Sequence, residues 1–370
     1  MPTRPAPATS RREFLRRVSL GAALLGTANW TRLAAAMAEP AAHKLGVALV
    51  GLGSYSSGQL GPALRETKLC RLAGVVTGSP AKAARWAKNY GLPSNCLYTY
   101  DTMERMAENP AIDIVYVVTP NGLHAEHAIR AARAGKHVIC EKPMANTVAE
   151  CDAMIAACRA AGRKLAIGYR QHYHTSLVDL ALLARDRRFG DLMKMNGAFA
   201  FRTWNKTWRQ TQKLGGGGPL MDLGIYILQE ACVAAGATPV AVTAKADPVT
   251  RPDVFDEVEE TLRFTLEFPN GARCEGRTSY NDSYNHFRAE GAKGWIELEP
   301  AFAYHGITGR TNHGQLRFPD GNQQAAQMDD FAACILESRE SIVPGEMGRR
   351  DLQLIEAIYR AMRSGQREPV

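Results

Sequence analysis

Lys142 is the residue whose setting points most directly to chemistry. It stands in Gly135-Lys136-His137-Val138-Ile139-Cys140-Glu141-Lys142-Pro143-Met144-Ala145, straight after a short apolar run that reads as a buried strand. A lysine at the carboxyl end of a sheet strand lies where open α/β sheets bind ligands, and the proline after it halts the strand. Asp222 and Tyr226 form a second pair, inside Gly215-Gly216-Gly217-Gly218-Pro219-Leu220-Met221-Asp222-Leu223-Gly224-Ile225-Tyr226. Four residues apart on a helix, they share one face. Ammonium, carboxylate and phenol together suit the oxidation of an alcohol carbon, in which a cofactor carries the hydride and the protein moves the proton. A phenol of pKa ~10 is a poor base at neutral pH unless a cation stabilises its phenolate. Lys142 can supply that cation and bond the substrate oxygen, while Asp222 orients the substrate or shares the proton.

The cofactor signal lies upstream. An apolar run over 45–50 ends in Gly51-Leu52-Gly53 and leads into a helical pattern. Such a strand–turn–helix unit brings backbone amides and a helix N-terminus against a pyrophosphate. The usual third glycine is Ser56 here, and Gly58 lies two residues further on. After the second strand, Val75-Val76-Thr77-Gly78-Ser79 carries no acid, and Lys82 follows a turn later. An acid there would hold the ribose hydroxyls of NAD and repel a 2′-phosphate, whereas hydroxyls, amides and a lysine would bind it. The cofactor expected is therefore NADP. Its expected contacts in these two turns are Gly51, Leu52, Gly53, Ser54, Tyr55, Thr77, Gly78, Ser79 and Lys82.

The Glu-Lys-Pro segment and Thr119-Pro120-Asn121-x-x-His124 together resemble the glucose–fructose oxidoreductase and inositol dehydrogenase (Gfo/Idh/MocA) family. The resemblance covers the whole chain after the leader. It implies a Rossmann domain followed by an open, mostly antiparallel substrate domain, with Lys142 at the substrate beside the nicotinamide. Many members have histidine where this chain has Tyr226. The tyrosine, Trp208-Arg209 and Gly168-Tyr169-Arg170 resemble the glucose–fructose oxidoreductase branch. What the branch implies is tightly bound NADP, an aldose oxidised to its lactone, and a second sugar reduced to a polyol in a ping-pong cycle. Lys142, Tyr169, Asp222 and Tyr226 would then meet the sugar, and the resemblance adds Tyr100, Thr119, Pro120, Asn121, His124, Glu141, Lys142, Arg170, Trp208 and Arg209 to the expected NADP contacts. Three alternatives stay open: a sugar dehydrogenase with exchangeable NADP, an exported NAD(P)-dependent glycosidase, and a non-enzymatic NADP-binding protein. No metal is expected, because His124/His127 and His172/His174 lack carboxylate or cysteine partners at ligand spacing.

The elements that must position these residues alternate in the first half. Strands are predicted over 45–50, 70–76, 112–118 and 137–140, and helices up to 67 and over 81–89, 123–134 and 147–161. That rhythm implies right-handed crossovers and a parallel, doubly wound sheet, a dinucleotide-binding domain over 44–165. From 166 to 370 the pattern becomes α+β. Strands are predicted over 191–201, 240–245, 258–268, 272–280, 287–290 and 294–298, with hairpin turns at 269–271 and 291–293, and helices over 218–235, 325–338 and 347–364.

Ser10-Arg11-Arg12-Glu13-Phe14-Leu15, an apolar run over 18–28 and Ala36-Met37-Ala38 form the three regions of a twin-arginine signal peptide over 1–38. Five of the eight net positive charges sit in those 38 residues. The remainder is nearly balanced, which argues against a nucleic-acid surface. The expectation is a periplasmic protein, exported folded by the twin-arginine machinery and left without a membrane anchor after cleavage. Its eight scattered cysteines read as small buried apolar residues. A homo-oligomer, a dimer through the open sheet face, is the expected assembly.

Overall fold

The computed structural model describes residues 44–370, which form one compact unit. The leader and its cleavage site lie outside the described residues. The first sheet is six-stranded and wholly parallel, in the order β3-β2-β1-β4-β5-β6. Its strands are β1 (Leu45–Val50), β2 (Cys70–Val76), β3 (Leu97–Tyr98), β4 (Ile114–Val117), β5 (His137–Cys140) and β6 (Leu165–Ile167). Every residue of β1 and β4 is buried, as an apolar strand covered on both faces must be. Helices α1 (Gly61–Glu66), α2 (Pro80–Tyr90), α3 (His124–Arg133) and α4 (Val148–Ala160) make the crossovers. Thr147 caps α4, accepting from the Glu150 amide while Glu150 reaches back to the Thr147 amide. The strand order reverses between β1 and β4, so the loops after those strands part and leave a crevice.

The second sheet has nine strands in the order β14-β13-β12-β11-β7-β10-β9-β8-β15. They are β7 (Leu192–Ala200), β8 (Ala241–Ala246), β9 (Thr261–Glu267), β10 (Arg273–Ser279), β11 (Tyr284–Gly291), β12 (Gly294–Leu298), β13 (Thr308–Thr311), β14 (Gly314–Arg317) and β15 (Glu368–Pro369). All neighbours are antiparallel except β7 and β10, which run parallel. Helices α5 (Thr175–Arg185), α6 (Ile225–Ala235), α7 (Gln323–Leu336) and α8 (Gly345–Ser364) complete the chain.

Three departures from the sequence reading have physical causes. The strand expected from 258 starts at Thr261, because Glu259 and Glu260 are drawn off. The Glu259 carboxylate accepts the amides of Gly218 and Leu220, and that of Glu260 accepts from Thr250 and Arg251. The helix expected from 218 begins at Leu220 as a π-turn and becomes regular at Ile225. The boundary drawn at 165 is crossed twice. β6 extends the first sheet to Ile167, and the last helices return to it: Asp329 accepts the amides of Lys68 and Leu69, and Glu356 accepts that of Val148.

Candidate active site

The turn after β1 shows how the chain manages without a third glycine. Gly51 has φ +101°, and a Cβ there would lie 2.8 Å from the Val118 carbonyl oxygen, so only glycine fits. Ser56 is fully buried and its hydroxyl donates to the Gly51 carbonyl at 2.6 Å, which ties the helix start to the turn. A Cβ on Gly53 would meet nothing within 4 Å, so the turn opens onto free space at the crevice. After β2, the Thr77 hydroxyl accepts from the Ser79 amide, and Ser79 caps α2 through the Lys82 amide. Lys82 itself is exposed. Tyr100 stacks on His127 at 5.1 Å, and its ring lies 3.5 Å from where a Gly78 Cβ would be.

The loop after β4 is braced twice. Asn121 donates to the Gly215 carbonyl at 2.9 Å, which joins it to the glycine run ahead of the helix that carries Asp222 and Tyr226. His124 places one ring nitrogen 2.8 Å from the Thr119 carbonyl and the other 2.9 Å from the Pro143 carbonyl. Burial pushes the His124 pKa down to about 4, so the neutral ring donates to one carbonyl and ties the loops after β4 and β5 together.

Lys142 follows β5, and the Lys142–Pro143 peptide is cis. Its Nζ donates to Asp222 Oδ1 at 2.9 Å and to the Asp222 carbonyl at 2.7 Å, and sits 4.8 Å from the Tyr226 ring centre. Asp222 Oδ2 accepts from the Tyr280 hydroxyl at 3.0 Å and ion-pairs with Arg209 Nε at 3.3 Å. Burial works against both charges of the pair. The Lys142 and Arg209 cations hold Asp222 below the carboxylate range, and Asp222 holds the Lys142 ammonium above the lysine range. Glu141 points the other way: its Oε1 accepts from the Tyr116 hydroxyl at 2.6 Å, which in turn receives Gln327 Nε2. Burial pushes the Glu141 carboxyl up, against the pull of Tyr116 and Lys142.

The glycine run has a packing reason. A Cβ would lie 1.9 Å from the Tyr359 hydroxyl at Gly217 and 2.2 Å from the Glu259 carbonyl at Gly218, and Gly216 has φ +77°. The helix with Asp222 and Tyr226 therefore seats directly on its neighbours, with Glu259 on its first amides.

These residues share one cleft of about 120 Å³, whose wall includes Tyr55, Thr119, Asn121, His124, Glu141, Lys142, Trp208, Arg209, Asp222 and Tyr226. Two expected contacts lie elsewhere. Arg170 is buried behind Tyr226 and Tyr304, 5.1 and 4.3 Å from their ring centres, and spends its donors on Phe302, Ala303 and Gln323. Tyr169 gives its hydroxyl to Asp351 and lies on the far side of Lys142. Sequence reasoning missed Tyr280, which bonds Asp222, and Tyr304, which lines the cleft; a lone tyrosine at a strand end or in a loop carries no spacing signal. The histidines weighed as metal ligands are used otherwise: His174 Nδ1 accepts from Ser176 and caps α5, and His172 bonds Gln229.

A family model described as "Oxidoreductase family, NAD-binding Rossmann fold" matches residues 45–169, and the GFO/IDH/MocA C-terminal domain matches 179–297. The chain belongs to the GFO/IDH/MocA oxidoreductase family. Among solved structures of the family, the aldose-aldose oxidoreductase from Caulobacter crescentus complexed with glycerol is 44% identical, with a TM-score of 0.87, covering 89% of this chain and 100% of that one. The D-xylose 1-dehydrogenase [NADP(+)] of Haloarcula marismortui is 28% identical over 85% of this chain and 90% of its own. The D-glucoside 3-dehydrogenase of Escherichia coli is 26% identical over 87% and 97%. Open parallel sheets of this kind take a dinucleotide in the crevice where the strand order reverses. The Gly51 turn and the open space over Gly53 fit a dinucleotide at that place.

Proposed function

We propose that the protein is a periplasmic sugar oxidoreductase that keeps NADP bound and couples two sugars in a ping-pong cycle. An aldose is oxidised to its aldonolactone, which leaves before a second sugar enters and is reduced to a polyol. The observation that carries this reading is the contact of Lys142 with Asp222 and Tyr226 in a cleft that Tyr55, just after the Gly51 turn, also lines. When bound, NADP supplies the hydride chemistry. Gly51, Gly53 and Ser54 would hold its pyrophosphate, and Thr77, Ser79 and Lys82 the 2′-phosphate.

The chain's own groups do the rest. The Lys142 ammonium, fixed by Asp222, binds the substrate oxygen and favours negative charge there. Tyr226 moves the proton, taking it when a hydroxyl is oxidised and giving it when a carbonyl is reduced. Trp208 and Tyr304 wall the cleft and restrict water. The leader at Arg11-Arg12 supports export of a folded protein, and a site loaded before export needs no external cofactor. The likeness to an aldose-aldose oxidoreductase supports sugars on both sides of the cycle.

The test uses purified protein with no nicotinamide added. An aldose alone should give one stoichiometric rise in absorbance near ~340 nm, the reduced-nicotinamide band, and then stop. A carbonyl sugar should remove it. Tyr226→Phe should retain the bound cofactor and lose both half-reactions. A protein that purifies empty and turns over only with added NADP is instead a dehydrogenase with exchangeable cofactor.

A further inference from the structure

Four consecutive main-chain carbonyls, from Ala301 to Tyr304, each accept from a buried side chain. Gln171 Nε2 donates to that of Ala301 at 2.8 Å, Arg170 Nη2 to that of Phe302 at 2.6 Å, and Arg170 Nη1 to that of Ala303 at 3.0 Å. Gln323 Nε2 donates to the Ala303 and Tyr304 carbonyls, at 3.2 and 3.1 Å. From the other side, Asn285 Oδ1 accepts the Ala301 and Phe302 amides at 2.9 and 2.7 Å. A surface loop ordinarily leaves such groups to water. Here the donors come from the segment after β6 and from the start of α7, so the loop between β12 and β13 cannot shift without breaking them. Phe302 roots it, buried against the rings of Phe199 and Tyr226, 4.9 and 5.9 Å between centres. Two residues on, Tyr304 lines the cleft beside Lys142 and Tyr226 and is still 37% exposed. Arg170 lies over its ring, 4.3 Å from the centre, and also meets the Tyr226 ring at 5.1 Å. One guanidinium therefore fixes the Tyr304 ring and sets its place relative to the phenol of Tyr226.

We propose that Tyr304 is a specificity-determining residue of the cleft, a fixed platform for the C–H face of a closed, six-membered sugar ring, and that it selects this form over an open-chain sugar. A sugar in ring form is amphipathic, with a rim of hydroxyls and two apolar faces, whereas an open chain has no flat face to lay on an aromatic ring. Lys142, Asp222 and Tyr226 supply polar groups for the rim, and the Tyr304 ring supplies apolar surface in the same cleft. Rigidity matters, because a wall that had to be ordered on binding would lose part of the affinity it provides. The platform bears unequally on the two half-reactions. An aldose that becomes a lactone is oxidised as a ring, whereas a sugar that becomes a polyol must offer a free carbonyl and so reacts as an open chain. Tyr304 thus acts on the sugar that is oxidised more than on the sugar that is reduced.

This inference rests on the sugar-oxidoreductase reading, and its test uses two unreactive ligands so that the two can fail separately. With the cofactor in its reduced form, calorimetry compares anhydroglucitol, a six-membered ring without an anomeric hydroxyl, with glucitol, its open-chain counterpart. The unmodified protein should bind the ring about 10-fold more tightly, the scale of one aromatic contact. Tyr304→Ala should lose that preference, and Tyr304→Phe, which keeps the aromatic ring, should retain it. In single-turnover oxidation of an aldose, Tyr304→Ala should show its loss in the half-saturating sugar concentration and not in the limiting rate. A merely structural role would instead lower the bound cofactor and the limiting rate, and overturns the platform. So does an unmodified protein without ring preference, a preference that survives Tyr304→Ala, or one that Tyr304→Phe also loses. The unmodified protein and Tyr304→Phe carry the test even where Tyr304→Ala does not fold. A ring preference that behaves as expected in a protein that oxidises no aldose overturns the oxidoreductase reading and leaves the platform standing.

Discussion

Lys142 Nζ donates to the side chain of Asp222 and to its main-chain carbonyl, at 2.9 and 2.7 Å. One ammonium thus ties the end of β5 in the first sheet to the helix turn that carries the phenol. Neither partner is more than about a fifth exposed, so the pair is little screened. Asp222→Asn should therefore cost about 3 kcal/mol, the lower end for breaking one side of a buried pair. The pH dependence has a fixed sign. Asp222 has a depressed pKa, so its contribution is present above the ordinary ~3.9 and is lost as pH falls through the lower folded value. Lys142 has a raised pKa, so its contribution is present below ~10.4 and is lost only as pH rises through the higher folded value. Thermal melts should show a steady gap between variant and unmodified protein from neutral pH down to about pH 4, closing at stronger acid. A gap that widens in acid contradicts the ion pair.

Much of this was legible before any coordinates. β1, β2, β5 and β12 coincide with their predicted ranges: β1 and β5 are short apolar runs flanked by turn residues, and β12 alternates after a hairpin turn. Lys142, Asp222 and Tyr226 meet although 80 residues separate the first two, since motif context identified both ends. The pattern could not show where Arg170 would point. Its sequence neighbours place it at the end of β6, but its partners Phe302, Ala303 and Gln323 come from a distant loop and helix. Tyr280 was hidden for the same reason, being held by a small cluster with Leu223, Val254, Phe255 and Val258. The hairpin β13–β14 is short and polar, with too few apolar positions to reveal a period of two.

Cofactor choice should turn on Lys82. No acid follows β2, Thr77 and Ser79 accept turn and cap bonds that leave their O–H groups free to donate, and Lys82 is an exposed cation on the first turn of α2. Lys82→Ala should weaken NADP binding about 10-fold, as expected for one charge-assisted contact, and leave NAD binding unchanged. Titration of cofactor-free protein with each dinucleotide checks this. Tighter binding of NAD than of NADP by the unmodified chain would rule out the assignment.

Gly218 should be intolerant of a single methyl group. Its Cβ would lie 2.2 Å from a backbone oxygen of Glu259, and its amide is held by the Glu259 carboxylate at 3.0 Å. Gly218→Ala must displace the helix start, at about 1–3 kcal/mol for an overpacked site. Asp222 and Tyr226 ride on that helix, while the Gly51 turn does not. The expected result is a lower melting temperature and a reduced kcat, with NADP affinity retained. Equal losses of cofactor binding and turnover would mean that the two halves of the site are not separable in this way.

Export should depend on Arg11 and Arg12 and should deliver a finished enzyme. All eight cysteines of the chain are free and buried, in a fold with no disulfide to form. A chain that folded outside the reducing cytoplasm would expose eight thiols to oxidation on the way, whereas one that folds first presents none. Loading of NADP points in the same direction, since the cofactor is made where the chain is synthesised. Changing both arginines to lysine should leave the protein in the cytoplasm, folded, carrying its cofactor and as active per molecule as the exported form. Fractionation of cells expressing each version, with the ~340 nm half-reaction as the assay, measures location and function together. Undiminished periplasmic activity from the lysine variant would remove the twin-arginine assignment and, with it, the reason for expecting the site to be filled before export.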